Sequence, residues 1–275
     1  MKILLHNIHT WLILSLFVIG IQSCADNNTE EEEMLQTELS FTVALPTDVS
    51  SRSFGKAEQV NTLVVGVFND RQVEVYRKSY SIEDSSINIS LTLAQNQTYH
   101  FVFWAYDNRL NIYNMEDLTA IRMTAIPDAI TFSQAEAMDA FFATQKHVTV
   151  MGDKNYLIKL VRPLAQINVG TIGTPMLASF TAKGVPDTFH PFTNSVSGTA
   201  DYIWNFCETT SETFTVDGKE YNYLAMGYVF APTIETEIAT ELTLNDGGKS
   251  HTVEFSRVEI EANSRSNIAG RFTGE

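Results

Sequence analysis

Residues 160–171 read LVRPLAQINVGT, an apolar run broken once by Arg162-Pro163 and then resumed as a strict alternation. Ala165, Ile167 and Val169 fall on one face, Gln166 and Asn168 on the other. Side chains repeat every two residues along a strand, and a proline pushes the residue before it toward extended backbone. The stretch therefore reads as one strand ending, a corner, and a second strand beginning. It lies near the middle of 275 residues, a length that suits two domains of ordinary size. We read it as the seam between two β domains, 37–161 and 162–275.

The rest of the chain agrees with an all-β class. A hydrophobic fraction of 44% supports two cores, and 17 Phe and 10 Tyr against a Thr-, Ser- and Asn-rich remainder suit strands. Residues 38–45 alternate, with Leu39, Phe41, Val43 and Leu45 on one face, before Pro46 stops the run. Residues 63–68 form a continuous apolar run, the signature of a central strand, and Asn69-Asp70 turns it into 72–80. Ile87, Ile89, Leu91 and Leu93 alternate again, and YHFVFWAY at 99–106 is the heaviest aromatic run. Further strands are expected at 148–150, 156–161, 178–182, 202–206, 213–216, 221–230, 237–244, 250–255, 258–261 and 267–273. Asp217-Gly218 and the stretch 245–248 mark hairpin turns. One short helix is expected in the first domain, from a capping box over 133–136 through Ala137, Met138, Phe141 and Phe142.

The N-terminus sets the compartment. Lys2 precedes an apolar run over 11–21, shorter than the roughly 20 residues of a membrane span, so 1–23 reads as a signal peptide. Ile21, Ser23 and Cys24 resemble the lipobox of bacterial lipoproteins, with Gln22 a departure from it, which implies cleavage before Cys24 and lipid on it. The other reading is an ordinary secretory signal with an incidental cysteine. Residues 24–36, with Glu30 to Glu33, hold no apolar anchor and read as a solvated acidic tether; the acidic cluster behind Cys24 resembles the outer-face export signal of surface lipoproteins of Bacteroides-like bacteria, and the other reading is a spacer. Removing 1–23 removes only Lys2 among the charged residues and takes the formal charge from −15 to −16, which disfavours nucleic acid as a partner. With Cys24 lipidated, Cys207 is the one remaining thiol, so no intramolecular disulfide forms, and its aromatic neighbours predict a buried small hydrophobe.

No constellation for catalysis emerges. His100, His147, His190 and His251 are far apart in sequence with no metal-ligand spacing, and no nucleophile elbow, phosphate loop or dinucleotide turn occurs. Glu235 and Glu237 lie two apart, as solvated strand carboxylates do. No catalytic residue, metal or cofactor is assigned.

Five features together resemble the fimbrillin-like subunits of Bacteroides-type (type V) pili: the signal ending at Cys24, the first strand 39–45, the loop Ser51-Arg52-Ser53 before 63–68, the seam 162–169, and NSRSNIAG at 263–270. The last matches the family's Asn-x-Arg-Thr-Asn-Ile-x-Gly ending, with Ser266 in the Thr position. The resemblance implies two tandem transthyretin-like β-sandwich domains and a surface or fimbrial lipoprotein anchored in the outer membrane through Cys24. It also implies cleavage between Arg52 and Ser53, after which the strand carrying Leu39, Phe41, Val43 and Leu45 is displaced and a strand from another fimbrial subunit takes its place. The sequence departs from many relatives in stopping at Glu275, without a further strand to act as donor. An anchor subunit, or a non-polymerising lipoprotein that captures glycan or a host protein through exposed loops such as 188–199, is the alternative.

Overall fold

A computed structural model describes residues 35–46, 59–246 and 248–272. Its first half contains β1 (Gln36–Ala44), β2 (Thr62–Asn69), β3 (Glu74–Ser81), β4 (Ser86–Ala94), β5 (Thr98–Tyr106), β6 (Tyr113–Asn114), β7 (Ile121–Met123), α1 (Phe132–Glu136), β8 (Ala140–Thr149) and β9 (Lys154–Lys159). After the Arg162-Pro163 corner come β10 (Leu164–Thr171), β11 (Leu177–Val185), β12 (Thr188–His190), β13 (Ser195–Ser197), β14 (Ala200–Asn205), β15 (Thr213–Val216), β16 (Lys219–Phe230), β17 (Thr236–Asp246), β18 (Lys249–Ile260) and β19 (Arg265–Gly270). The all-β expectation holds, with α1 the one described helix.

Two sandwiches emerge with one strand order. In the first, the sheet β4-β1-β9 faces the sheet β3-β2-β5-β8; in the second, β15-β16-β10-β19 faces β14-β11-β17-β18. In each, the first strand lies between an antiparallel neighbour and the last strand, which runs parallel to it: β1 between β4 and β9, β10 between β16 and β19. The halves share a plan that no sequence repeat announces. The β10/β19 pairing also joins two stretches about a hundred residues apart in sequence, aligning Asn168 with Asn267. Asn168 Nδ2 donates to Asn267 Oδ1 at 2.9 Å, so part of the polar face of the seam strand is buried and bonded inside the protein.

The two sandwiches do not share a simple boundary. Residues 107–139, inserted between β5 and β8, run onto the second half: β7 pairs with β12 in a fifth, antiparallel sheet β13-β12-β7-β6 built from both halves, and α1 packs on β16. The central strands β2 and β5 are consequently buried on both faces. Leu63, Val65, Val67, Phe101 and Phe103 join the first sandwich's core, while Val64, Phe68, Val102 and Trp104 join the core of the second. Continuous apolar runs belong on such strands, because neither face meets water. Gly66 permits the close cover, since a Cβ there would sit 2.6 Å from Leu118 Cδ1.

Three local expectations are corrected. The helix is shorter than expected and its cap lies two residues earlier: the Thr131 hydroxyl accepts from Gln134 N and the Gln134 side chain accepts from Thr131 N. Phe141 and Phe142 belong to β8, drawn into the ladder opposite Ala105 and Trp104. Cys207 is exposed, because Tyr202, Trp204 and Phe206 take the inward positions and the period of two turns residue 207 outward. Residues 188–199 are mostly the β12/β13 hairpin, with Phe189 buried and the Phe192 ring edge-on to Phe68 at 5.1 Å.

A buried ion pair pins the corner. Arg162 Nε and Nη2 donate to the two Asp139 carboxylate oxygens at 2.6 and 2.7 Å, and the guanidinium stacks on Phe141 at 4.9 Å. Burial raises the Asp139 carboxyl to about 7 against the opposing pull of Arg162. Substituting Arg162→Met strands that carboxyl and is expected to cost about 3–5 kcal/mol at alkaline pH. A carboxyl whose folded pKa is raised favours the folded state most below its unfolded pKa, and that contribution is lost as pH rises through the folded value. Urea midpoints should therefore show a smaller loss for Arg162→Met at pH 5 than at pH 8; an equal loss would mean that Asp139 stays ionised throughout.

Candidate functional site: the slot filled by β1

The alternation of residues 36–44 makes β1 amphipathic, and its position makes it a plug. Leu39, Phe41 and Val43 point inward and are 1%, 0% and 2% exposed, values that leave no room for water at the seat of the strand. Phe41 lies opposite Ile89 of β4 and Tyr156 of β9, while Val43 lies opposite Ile87 and Ile158. Beneath it, the Phe41 ring meets Phe101 at 4.8 Å, Phe103 at 5.4 Å and Tyr156 at 5.5 Å. Leu45 lies just past the strand end and is only half-buried, bordering a small crevice with Ile82, Ile87 and Leu160.

The outward face is polar. Thr42 Oγ1 donates to Asn88 Oδ1 at 2.8 Å, and the Ser40 and Ser90 hydroxyls meet at 3.4 Å. Both backbone edges of β1 are engaged, antiparallel to β4 over its whole length and parallel to β9 from Leu39 to Ala44. Loss of β1 would expose two unpaired strand edges and the floor of a core in a single step. Three inward side chains at about 1.5–3 kcal/mol each contribute roughly 5–9 kcal/mol of burial, comparable to the net stability of a whole domain of about 5–15 kcal/mol.

Of the residues tied to processing by the sequence, Leu39, Phe41 and Val43 come together on the inner face of β1. Cys24, Arg52 and Ser53 lie outside the described residues. The alternation at 87–93 gave a strand but not its role as one wall of the slot; only the pairing register reveals that. Glu237 is engaged by Arg257, whose Nε and Nη2 donate to its carboxylate at 2.5–3.0 Å, and that pairing lowers its pKa. A carboxyl so held suits a surface ion pair rather than general acid work.

Phe41→Ala should lower the unfolding free energy by about 3–5 kcal/mol in urea melts, and Ser40→Ala by less than about 0.5 kcal/mol. Similar costs at the two positions would show that β1 is not seated as described.

No curated protein matches the sequence. Among solved structures, the fold is similar to that of a candidate adhesin from Bacteroides ovatus, at 10% identity over 86% of this chain and 88% of that chain, with a TM-score of 0.53. A candidate adhesin from Bacteroides thetaiotaomicron matches at 12% identity over 79% of each chain, with a TM-score of 0.50. The fimbrial anchor protein Mfa2 from Porphyromonas gingivalis is more loosely similar, at 13% identity over 78% of this chain and 82% of that one, with a TM-score of 0.45. At these identities the likeness is one of fold. By its sequence the chain belongs to the family of unknown function DUF6562, whose model matches residues 29–274.

Proposed function

We propose that this protein is a non-enzymatic structural subunit of surface fimbriae, exported to the outer membrane as a precursor with lipid on Cys24 and assembled by replacement of β1, which also releases it from that lipid. The observation that carries the reading is the place of β1: a short amphipathic strand, bonded on both edges, that closes the core of the first sandwich. Its link to β2, residues 45–61, contains Arg52. A cut after Arg52 would leave β1 held by non-covalent contacts alone. Its departure would open a slot nine residues long, about 30 Å at roughly 3.3 Å per residue.

A donor strand from another subunit would restore both the ladder bonds and the apolar plugs, the two things the slot loses. A sheet edge flanked by an open core does not persist in water, so release and replacement would be coupled. The likeness in fold to adhesin structures supports this reading, as does the order of lipobox, tether, plug and arginine loop along the chain.

The test is the mass and N-terminal sequence of the protein recovered from cell surfaces, wild type beside Arg52→Ala. The expected wild type begins at Ser53 and the variant at lipidated Cys24, with both folded. Identical N-termini at Cys24 would remove the strand-release mechanism and leave an anchor subunit, or a lone lipoprotein that binds glycan or a host protein.

A further inference from the structure

Sequence spacing separates His100 from His147, but the fold stacks them. His100 lies on β5 and His147 on β8, where the ladder skips: Tyr99 pairs with Val148 and Phe101 with Gln145, so Lys146 and His147 together oppose the single residue His100. A bulge of this kind re-aims side chains, and His147 adopts φ 53° within it. The two imidazoles meet edge to face with ring centroids 4.6 Å apart. Asp70, in the turn between β2 and β3, completes the group, and one ligand atom from each of the three residues lies within 4.8 Å of the others.

A second observation concerns how poorly His100 is satisfied. The residue is 2% exposed, its Nε2 is buried with no hydrogen-bond partner, and its Nδ1 receives only a long 3.4 Å bond from His147 N–H. Buried polar groups in folded proteins normally have partners, and a neutral imidazole must carry one N–H. Neither nitrogen here makes a bond of ordinary length. Asp70 and His147 are exposed, so their side chains are free to close on a shared ion. Donors bound to one tetrahedral ion at about 2.0–2.2 Å lie roughly 3.4 Å apart, a short movement from the spacing seen. Lys146 is the nearby positive charge, and its ammonium donates to the Phe192 carbonyl.

We infer that Asp70, His100 and His147 form a site for one divalent transition cation of the Zn²⁺ class, tying the β2–β3 turn to β5 and the β8 bulge. Two imidazoles and one carboxylate suit Zn²⁺, Ni²⁺ or Cu²⁺ and disfavour Mg²⁺ and Ca²⁺, which take oxygen donors. Three protein ligands leave a coordination position open to water or to a side chain from another molecule. The site lies on the sheet that faces β1 and does not depend on strand release.

The experiment is a Zn²⁺ titration of the chelator-stripped full chain, read by calorimetry and by thermal melting. The expected result is one ion bound per wild-type chain, with affinity reduced at least about tenfold by His147→Gln and by Asp70→Asn and unchanged by His251→Gln. Because residues 70 and 147 are exposed, the two variants should melt with wild type when metal-free and lose the Zn²⁺-dependent rise in Tm. Mg²⁺ should give no rise. Undiminished Zn²⁺ affinity in both variants, or no Zn²⁺-dependent rise in wild type, would overturn the site. A metal-free melting loss in His147→Gln without any change in Zn²⁺ affinity would assign these residues a packing role alone.

Discussion

Strands that are apolar on both faces need two covers, and β2 and β5, at the centre of the β3-β2-β5-β8 sheet, impose that demand on the whole chain. One face is roofed by β4-β1-β9. The other is roofed by residues 107–139 and the second sandwich, which is why that insertion leaves the first half and pairs β7 with β12. The two roofs differ in kind. The second is large and tied by buried contacts such as Arg162 with Asp139 and Tyr202 with the Met123 carbonyl. The first is three strands wide, and its middle strand comes before a long connection.

That connection marks the difference between two otherwise similar halves. β1 and β10 occupy the same place in their sandwiches, each between an antiparallel neighbour and a parallel last strand. β10 reaches β11 through 172–176, whereas β1 reaches β2 through 45–61. Connections inside compact domains are commonly about 4–6 residues, and much longer ones tend to serve a purpose beyond closure. A strand on a short link stays with its domain. One on a long link with an arginine in it can be severed without cutting into the ladder, and its burial then sets how tightly it is held.

Much of this was legible in the residues. Where one face of a strand is wet, as in β1 and β4, the period of two gave the element and its inward side chains. Where both faces are dry, as in β2 and β5, the continuous run announced burial but not what covers it. The same two-sided burial misled the reading of Phe141 and Phe142, since an unbroken apolar stretch fits a helix or a strand until pairing decides. Cys207 could have been placed outward by carrying the alternation of Tyr202, Trp204 and Phe206 one step further. The meeting of His100 with His147 was beyond reach, because it depends on a one-residue bulge and a register that no local pattern encodes. The parallel pairing of β10 with β19 was hidden likewise, although both stretches stood out singly.

The most direct test of β1 as a replaceable plug is strand uptake. The protein would be nicked at Arg52 by limited digestion with an arginine-specific protease, then offered a fluorescent peptide of residues 36–45, with incorporation followed by native mass spectrometry. The account predicts that the nicked protein exchanges its own segment for the peptide, that intact protein does not, and that a peptide carrying Phe41→Glu fails to enter. Nicked protein that takes up no peptide, or uptake of the Phe41→Glu peptide as readily as the native one, would contradict it.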